Sequence, residues 1–154
     1  PSLPRVASVQ NPYSLLNRSY DMGMAEISVR EDCPLMAYSP LAFGTLTGKY
    51  VGGAMPQGAR MSLGHAHWAR YMWPRAQAAT AEYTALARKH GLSPGGMAMV
   101  YVMTRPWTGS TIIGARTVEQ LRENLAQIAA TKLSDEVVKE IDAIYAQNPM
   151  PILK

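Results

Sequence analysis

Two short stretches carry residue types suited to gripping an anion. The first, GTLTGKY from Gly44 to Tyr50, sets small residues ahead of a lysine. A nucleoside-triphosphate loop needs four residues between its glycines and then Lys followed by Ser or Thr, so that backbone N–H groups wrap the phosphates and the hydroxyl holds magnesium. Here three residues separate Gly44 from Gly48, and Tyr50 stands where the hydroxyl ligand would be. That spacing argues against an ATPase and leaves room for another anionic ligand. The second stretch is Gly114-Ala115-Arg116, which lies between a strand-like run and a helix start. Unpaired N–H groups and the helix dipole favour an anion there, and Arg116 adds a planar fork that suits phosphate. One turn further on, Gln120, Glu123 and Asn124 form a hydrogen-bonding strip able to read the edge of a base. In HAHWARYMW, His65 and His67 flank a single residue, but a metal needs further ligands and the only cysteine, Cys33, is distant. This segment reads as an aromatic lid or a packed loop, with no metal assigned.

These residues need elements to hold them. Val6 to Gln10 has the alternating apolar character of a buried strand, which Asn11-Pro12 is expected to stop. Asp21 can cap a helix running to about Asp32, with Met24, Ala25 and Ile27 as its inner face. Leu35 to Tyr38 supplies a second strand, closed by Ser39-Pro40. From 41 to 73 the chain is glycine-rich and without sustained periodicity, too long for a passive connection, so it is expected to carry function. Pro74 suits a first helical position, and Ser93-Pro94 repeats the cap-then-proline start for a very apolar helix through Met103. Ser110 to Ile113 reads as a third strand. Thr117 and Gln120 form a capping box for a helix whose Val118, Leu121, Leu125 and Ile128 share one face. A last helix opens at Ser134 with Asp135 and Glu136 in its first turn and is expected to bury Val137, Val138, Ile141 and Ile144. Short strands alternating with helices predict an α/β fold with a parallel sheet, and three strands cannot close a barrel.

At 154 residues, with 47% hydrophobic and 17% charged, the chain is long enough for a single globular domain over 1–154 and lacks the composition of disorder. Its net charge of +4 is scattered, with no basic block that would mark nucleic-acid binding. No apolar run nears the roughly 20 residues that cross a bilayer, and PSLPRVASVQ lacks the pattern of a signal peptide. A lone Cys33 excludes an internal disulfide and suits a reducing, cytoplasmic setting. Because the chain starts with Pro and enters a strand at once, it is expected to be a fragment.

Three segments, QNPYSLLNR, YSPLAFGTLTGKY and IIGARTVEQLRENL, follow one another in an order and spacing that closely resembles the C-terminal half of aldo-keto reductases, especially the bacterial Tas-type branch. The resemblance covers essentially the whole chain. It implies part of a (β/α)8 TIM barrel, strands six to eight with their helices and extra C-terminal helices. It also implies NADP(H) as cofactor. In that pattern the loop from Gly44 to Lys49 lies over the pyrophosphate, with Ser39, Leu41 and Lys49 as contacts, and Pro40 and Ala42 also count among the cofactor-binding residues. Tyr38 corresponds to the aromatic that stacks on the nicotinamide, and Gln10 to the side chain holding its carboxamide. Arg60 corresponds to a loop arginine on the cofactor, while Gly114, Arg116, Gln120, Glu123 and Asn124 correspond to the 2′-phosphate and adenine site. Phe43 stands at a position that varies among relatives.

The family's Asp, Tyr, Lys and His tetrad lies on earlier strands, where the Tyr acts as general acid during hydride transfer to a carbonyl. None of those motifs occurs here, so the tetrad is expected upstream of Pro1, and His65, His67 and His90 receive no catalytic role. The implied function is NADP(H)-dependent reduction of small aldehydes or ketones by the complete protein, with this chain inactive alone. Two alternatives keep the fold: a regulatory module like the potassium-channel β subunits, or a half-barrel that associates with itself or with a missing N-terminal half to cover its sheet edges.

Overall fold

The computed structural model describes residues 3–64 and 66–153. Three strands, β1 (Val9–Pro12), β2 (Leu35–Tyr38) and β3 (Thr108–Ile112), form a parallel sheet in the order β1-β2-β3. Around it, among the described residues, run five α-helices: α1 (Met24–Arg30), α2 (Pro74–Lys89), α3 (Pro94–Met103), α4 (Val118–Ala130) and α5 (Asp135–Gln147). The long segment after β2 is neither sheet nor α-helix. It is built from short 3-10 turns at Ala42–Thr47, Val51–Gly53, Arg60–Leu63 and Ala66–Met72.

Three predicted boundaries are corrected. The first strand lies at 9–12 rather than 6–10 and runs through Pro12, because β1 borders the sheet and an edge strand tolerates a residue that donates no hydrogen bond. Asp21 does not cap α1. Gly23 takes that position at φ 108°, and the Asp21 carboxylate instead accepts hydrogen bonds from Tyr13 and Arg18. The helix is also shorter than expected, ends at Arg30, and leaves Ile27 51% exposed. The third strand begins two residues early, at Thr108, since Leu35 pairs with Thr108 before a register shift.

Elsewhere the local signals hold. Pro74 opens α2, and the Ser93, Thr117 and Ser134 hydroxyls accept from the N–H groups of Gly96, Gln120 and Val137 at the starts of α3, α4 and α5. The capping box at Thr117 is only half made, because the Gln120 amide oxygen accepts from Arg116 N–H rather than from Thr117. On α5, Val137 and Ile141 are buried while Val138 and Ile144 are half-buried.

Alternation along the strands gives the sheet two unlike faces. Leu35 and Ala37 are fully buried and join a core with Leu15, Leu46, Tyr83, Met97, Tyr101 and Ile141. The residues of opposite parity, Met36 and Tyr38 on β2, are only half-buried. Their ladder partners Gln10, Ser110 and Ile112 are exposed. One face therefore packs on helices and the other is open. α3 is the most enclosed helix, buried from Gly95 to Val102. A Cβ on Gly96 would sit 2.4 Å from Thr131 Oγ1, so only glycine lets α3 approach the end of α4 this closely.

Candidate functional site

The open sheet face carries the first predicted pair. Gln10 pairs with Met36 and Pro12 with Tyr38, so Gln10 and Tyr38 project to the same side, two rungs apart. Tyr38 ends β2, and Ser39 follows at φ 58°, turning the chain sharply away from the sheet. Ala42 and Phe43 repeat this left-handed geometry at φ 48° and 59°, and Gly44 follows at 89°. Three non-glycine residues in that region cost on the order of 1 kcal/mol each, and strain of this kind clusters where a backbone must be shaped to a ligand.

The glycine loop closes on its lysine. A Cβ on Gly44 would lie 3.0 Å from both Cε and Nζ of Lys49, so the amine folds back over the loop. Thr47 Oγ1 donates to Gly44 C=O at 2.8 Å, and the Lys49 amine also lies 5.2 Å from the centre of the Tyr50 ring. Tyr50 itself is fully buried, and its hydroxyl accepts from Met61 N–H at 3.3 Å. The tyrosine that spoils a triphosphate loop thus anchors the loop to the following strap.

That strap links two of the predicted clusters. Arg116 Nη1 donates to Gly58 C=O at 2.8 Å, while its own N–H bonds Gln120 at 2.9 Å. Two residues beyond Gly58, the Arg60 guanidinium lies 5.4 Å from the Phe43 ring centre and 5.6 Å from that of Trp68. A second link runs through α3: a Cβ on Gly95 would meet Leu41 Cδ2 at 3.7 Å and Gln127 Oε1 at 2.8 Å. Gln127 in turn donates to Glu123 at 3.0 Å, and Asn124 is half-buried beside it. Leu41, Gly44, Lys49, Arg60, Arg116, Gln120 and Glu123 are thereby joined through a few intervening residues. Gln10 reaches the group only through the sheet, and Pro40 and Ala42 are buried. Gly114 is exposed, with open space where a side chain would stand.

The cluster holds three cations and one carboxylate, Glu123. Among the described residues, Lys49, Arg60 and Arg116 form no ion pair with a carboxylate, whereas Arg18, Lys89 and His90 do. The sequence signal for this was missed: no acidic residue occurs between Asp32 and Glu82. Tyr71 was also missed. It is 2% exposed and lies 5.2 Å from Phe43, and burial pushes its phenol above the usual range, against the opposing pull of Arg70. So the segment ending at Trp73 packs as a loop in this part. His65 of the histidine pair lies outside the described residues. Among the described residues no His, Cys, Asp and Glu cluster could hold a metal, and no helix is long and apolar enough to cross a membrane.

Comparison with known proteins gives the context. The aldo/keto reductase family profile matches residues 2–146. Protein tas of Escherichia coli is 48% identical over 149 residues, 97% of this chain and 42% of the relative. A Schizosaccharomyces pombe protein whose name marks it as a voltage-gated potassium channel subunit beta is 32% identical over 120 residues, 75% of this chain and 35% of that protein. The structure of a glycerol dehydrogenase from Gluconobacter oxydans superposes with a TM-score of 0.74 at 24% identity, over 94% of this chain and 43% of that one. The fold is accordingly part of a (β/α)8 barrel, and the chain spans 42% of the length of its first relatives.

Proposed function

The chain belongs to the aldo/keto reductase family, and from that premise we propose that it is the dinucleotide-binding part of an NADP(H)-dependent carbonyl reductase. The observation that carries the proposal is the placement of Arg116 at the capped start of α4, tied through Gly58 to the strap that leads to Arg60. Lys49 folded onto Gly44 supplies a second anion site. The residues fit the cofactor. Arg116 and the first turn of α4 would hold the 2′-phosphate, Gln120, Glu123 and Asn124 the adenine, and Lys49 with Arg60 the pyrophosphate. Tyr38 would offer its ring to the nicotinamide and Gln10 its amide to the carboxamide, since both project from the open sheet face.

When bound, the nicotinamide supplies the hydride that reduces a small aldehyde or ketone. The residues of this chain orient and hold. In this reading the general acid for the carbonyl oxygen is supplied from outside these residues. Support for a missing cover lies in the surface. The chain exposes 8752 Å², against about 7,700 Å² for a compact monomer of its mass. Its sheet also has unpaired outer edges at β1 and β3 among the described residues.

Titrating NADPH into the full-length protein tests the reading. Nicotinamide fluorescence should change on binding, and the reduced cofactor should be oxidised when small aldehydes are added. Arg116→Ala should weaken NADPH by about tenfold or more while leaving NADH little changed, because only NADPH has the 2′-phosphate. Equal losses for both would remove Arg116 from that role. The likeness to the S. pombe channel subunit favours a second reading, a dinucleotide-binding regulatory module. Cofactor binding without turnover on any carbonyl would favour it.

A further inference from the structure

Arg18 ends the QNPYSLLNR stretch and has no part in the dinucleotide contacts described above. Its side chain is 13% exposed and bonds to both sides. Nε donates to Asp21 Oδ2 at 2.7 Å, and Nη1 donates to Asp142 Oδ1 on α5 at 2.7 Å. The guanidinium also stacks 4.3 Å from the Tyr145 ring centre and 5.3 Å from that of Tyr101. The second oxygen of Asp21 is taken by the Tyr13 hydroxyl at 2.7 Å. Tyr13 is fully buried, edge-on to Trp107, and its backbone N–H donates to Tyr38 C=O at 3.1 Å. One continuous path therefore joins the C-terminal helix to the end of β2.

Arg18 and Asp21 are mostly buried, while Asp142 is half exposed, so this polar group sits at the margin of the core. A set of apolar side chains of similar volume stabilises as well or better, whereas a guanidinium with two carboxylates fixes directions that apolar contacts leave free. Burial, followed by the hydrogen bond to Asp21, pushes the Tyr13 phenol well above its usual range, so it remains a donor. The path ends on Tyr38, where the sheet stops and the chain turns through Ser39 at φ 58°. Tyr38 is the last ladder residue of β2, paired with Pro12 and Ile112, and its C=O accepts from Tyr13 N–H.

We propose that Arg18 is a positioning residue: through Asp21 and Tyr13 it fixes the backbone of Tyr38, and so sets the ring that receives the nicotinamide. The inference rests on the reading of Tyr38 given under Proposed function. It predicts an effect confined to the nicotinamide end of the cofactor. Tyr13→Phe removes one oxygen and keeps the packing, and Arg18→Lys keeps the charge while losing the two-sided fork.

The test uses the full-length protein and two ligands, NADPH and adenosine 2′,5′-bisphosphate, which contains only the adenosine end. Tyr13→Phe should weaken NADPH by about three- to tenfold, the loss of one charge-assisted hydrogen bond, with the bisphosphate affinity unchanged. Arg18→Lys should do the same to an equal or larger degree, and both should alter the emission of bound NADPH. Wild-type affinity for NADPH in both variants, or equal weakening of the two ligands, would make Arg18 a stabilising group only and overturn the proposal. Failure of the wild-type protein to bind either ligand is a separate result, which rejects the dinucleotide reading and this inference with it.

Discussion

α3 and α4 are neighbouring helices with opposite fates. α3 is apolar nearly all round and is buried from Gly95 to Val102, enclosed by α2, α4, β3 and the glycine loop. α4 has a clean apolar stripe and yet no buried residue: Val118 is 57% exposed, Leu121 41% and Leu125 53%. It meets α3 through its polar side, where Gln127 and Thr131 crowd Gly95 and Gly96. The difference shows that a helical stripe records a demand for cover, while the presence of that cover depends on other segments. For α3 the cover lies within these 154 residues. For α4 the stripe stays largely exposed among the described residues.

The contrast can be measured. Met97→Ala on α3 should cost about 2–5 kcal/mol in chemical denaturation, because a fully buried side chain leaves a cavity. Leu125→Ala on α4 should change the stability of this chain by no more than about 0.5 kcal/mol, as for other exposed sites. Similar losses at the two positions would erase the distinction. In the full-length protein the Leu125 variant should become costly, and its staying neutral there would mean the stripe is covered by nothing.

Gly96→Ala probes the seam between the helices. Its Cβ would stand 2.4 Å from Thr131 Oγ1 and 3.1 Å from Gln127 C=O, so one partner must move, at about 1–3 kcal/mol. A neutral substitution would show that α4 is only loosely held on α3. The smallest effect is expected at the surface contact between α2 and α5. Hydrogen bonds from Lys89, then His90, hold the Glu140 carboxyl below its ordinary value of 4.5. A lowered folded value means that the stabilisation is present above the ordinary value and is lost as pH falls through the lowered one. Glu140→Gln should therefore lower Tm slightly at neutral pH and converge with wild type in acid. A gap that persists in acid would exclude the ion pairs as its source.

Signals that act within one turn were readable from residue order. The proline at the start of α2, the hydroxyl caps of α3, α4 and α5 and the run of β2 all depend on neighbours a few positions away. Asp21 has the right type for a cap, but Tyr13 and Arg18 draw its carboxylate elsewhere, and no local rule contains Asp142. The ends of β1 and β3 shifted for a related reason, since pairing across the sheet, not composition, decides where a strand stops. In the candidate site, Gly44, Lys49 and Arg116 were singled out by their local spacing. The strap contact from Gly58 to Arg116 and the packing of Tyr71 beside Phe43 did not, because each joins segments far apart in the chain.

Residue order therefore established the parallel α/β plan and the starts of α2 to α5, consequences of short-range backbone chemistry. Three-dimensional packing settled which apolar faces were covered, gave Arg18 its two carboxylates and brought the glycine loop, the strap and α4 into contact. Those outcomes depend on distances between residues separated by tens of positions, which chain closure sets and local preference does not.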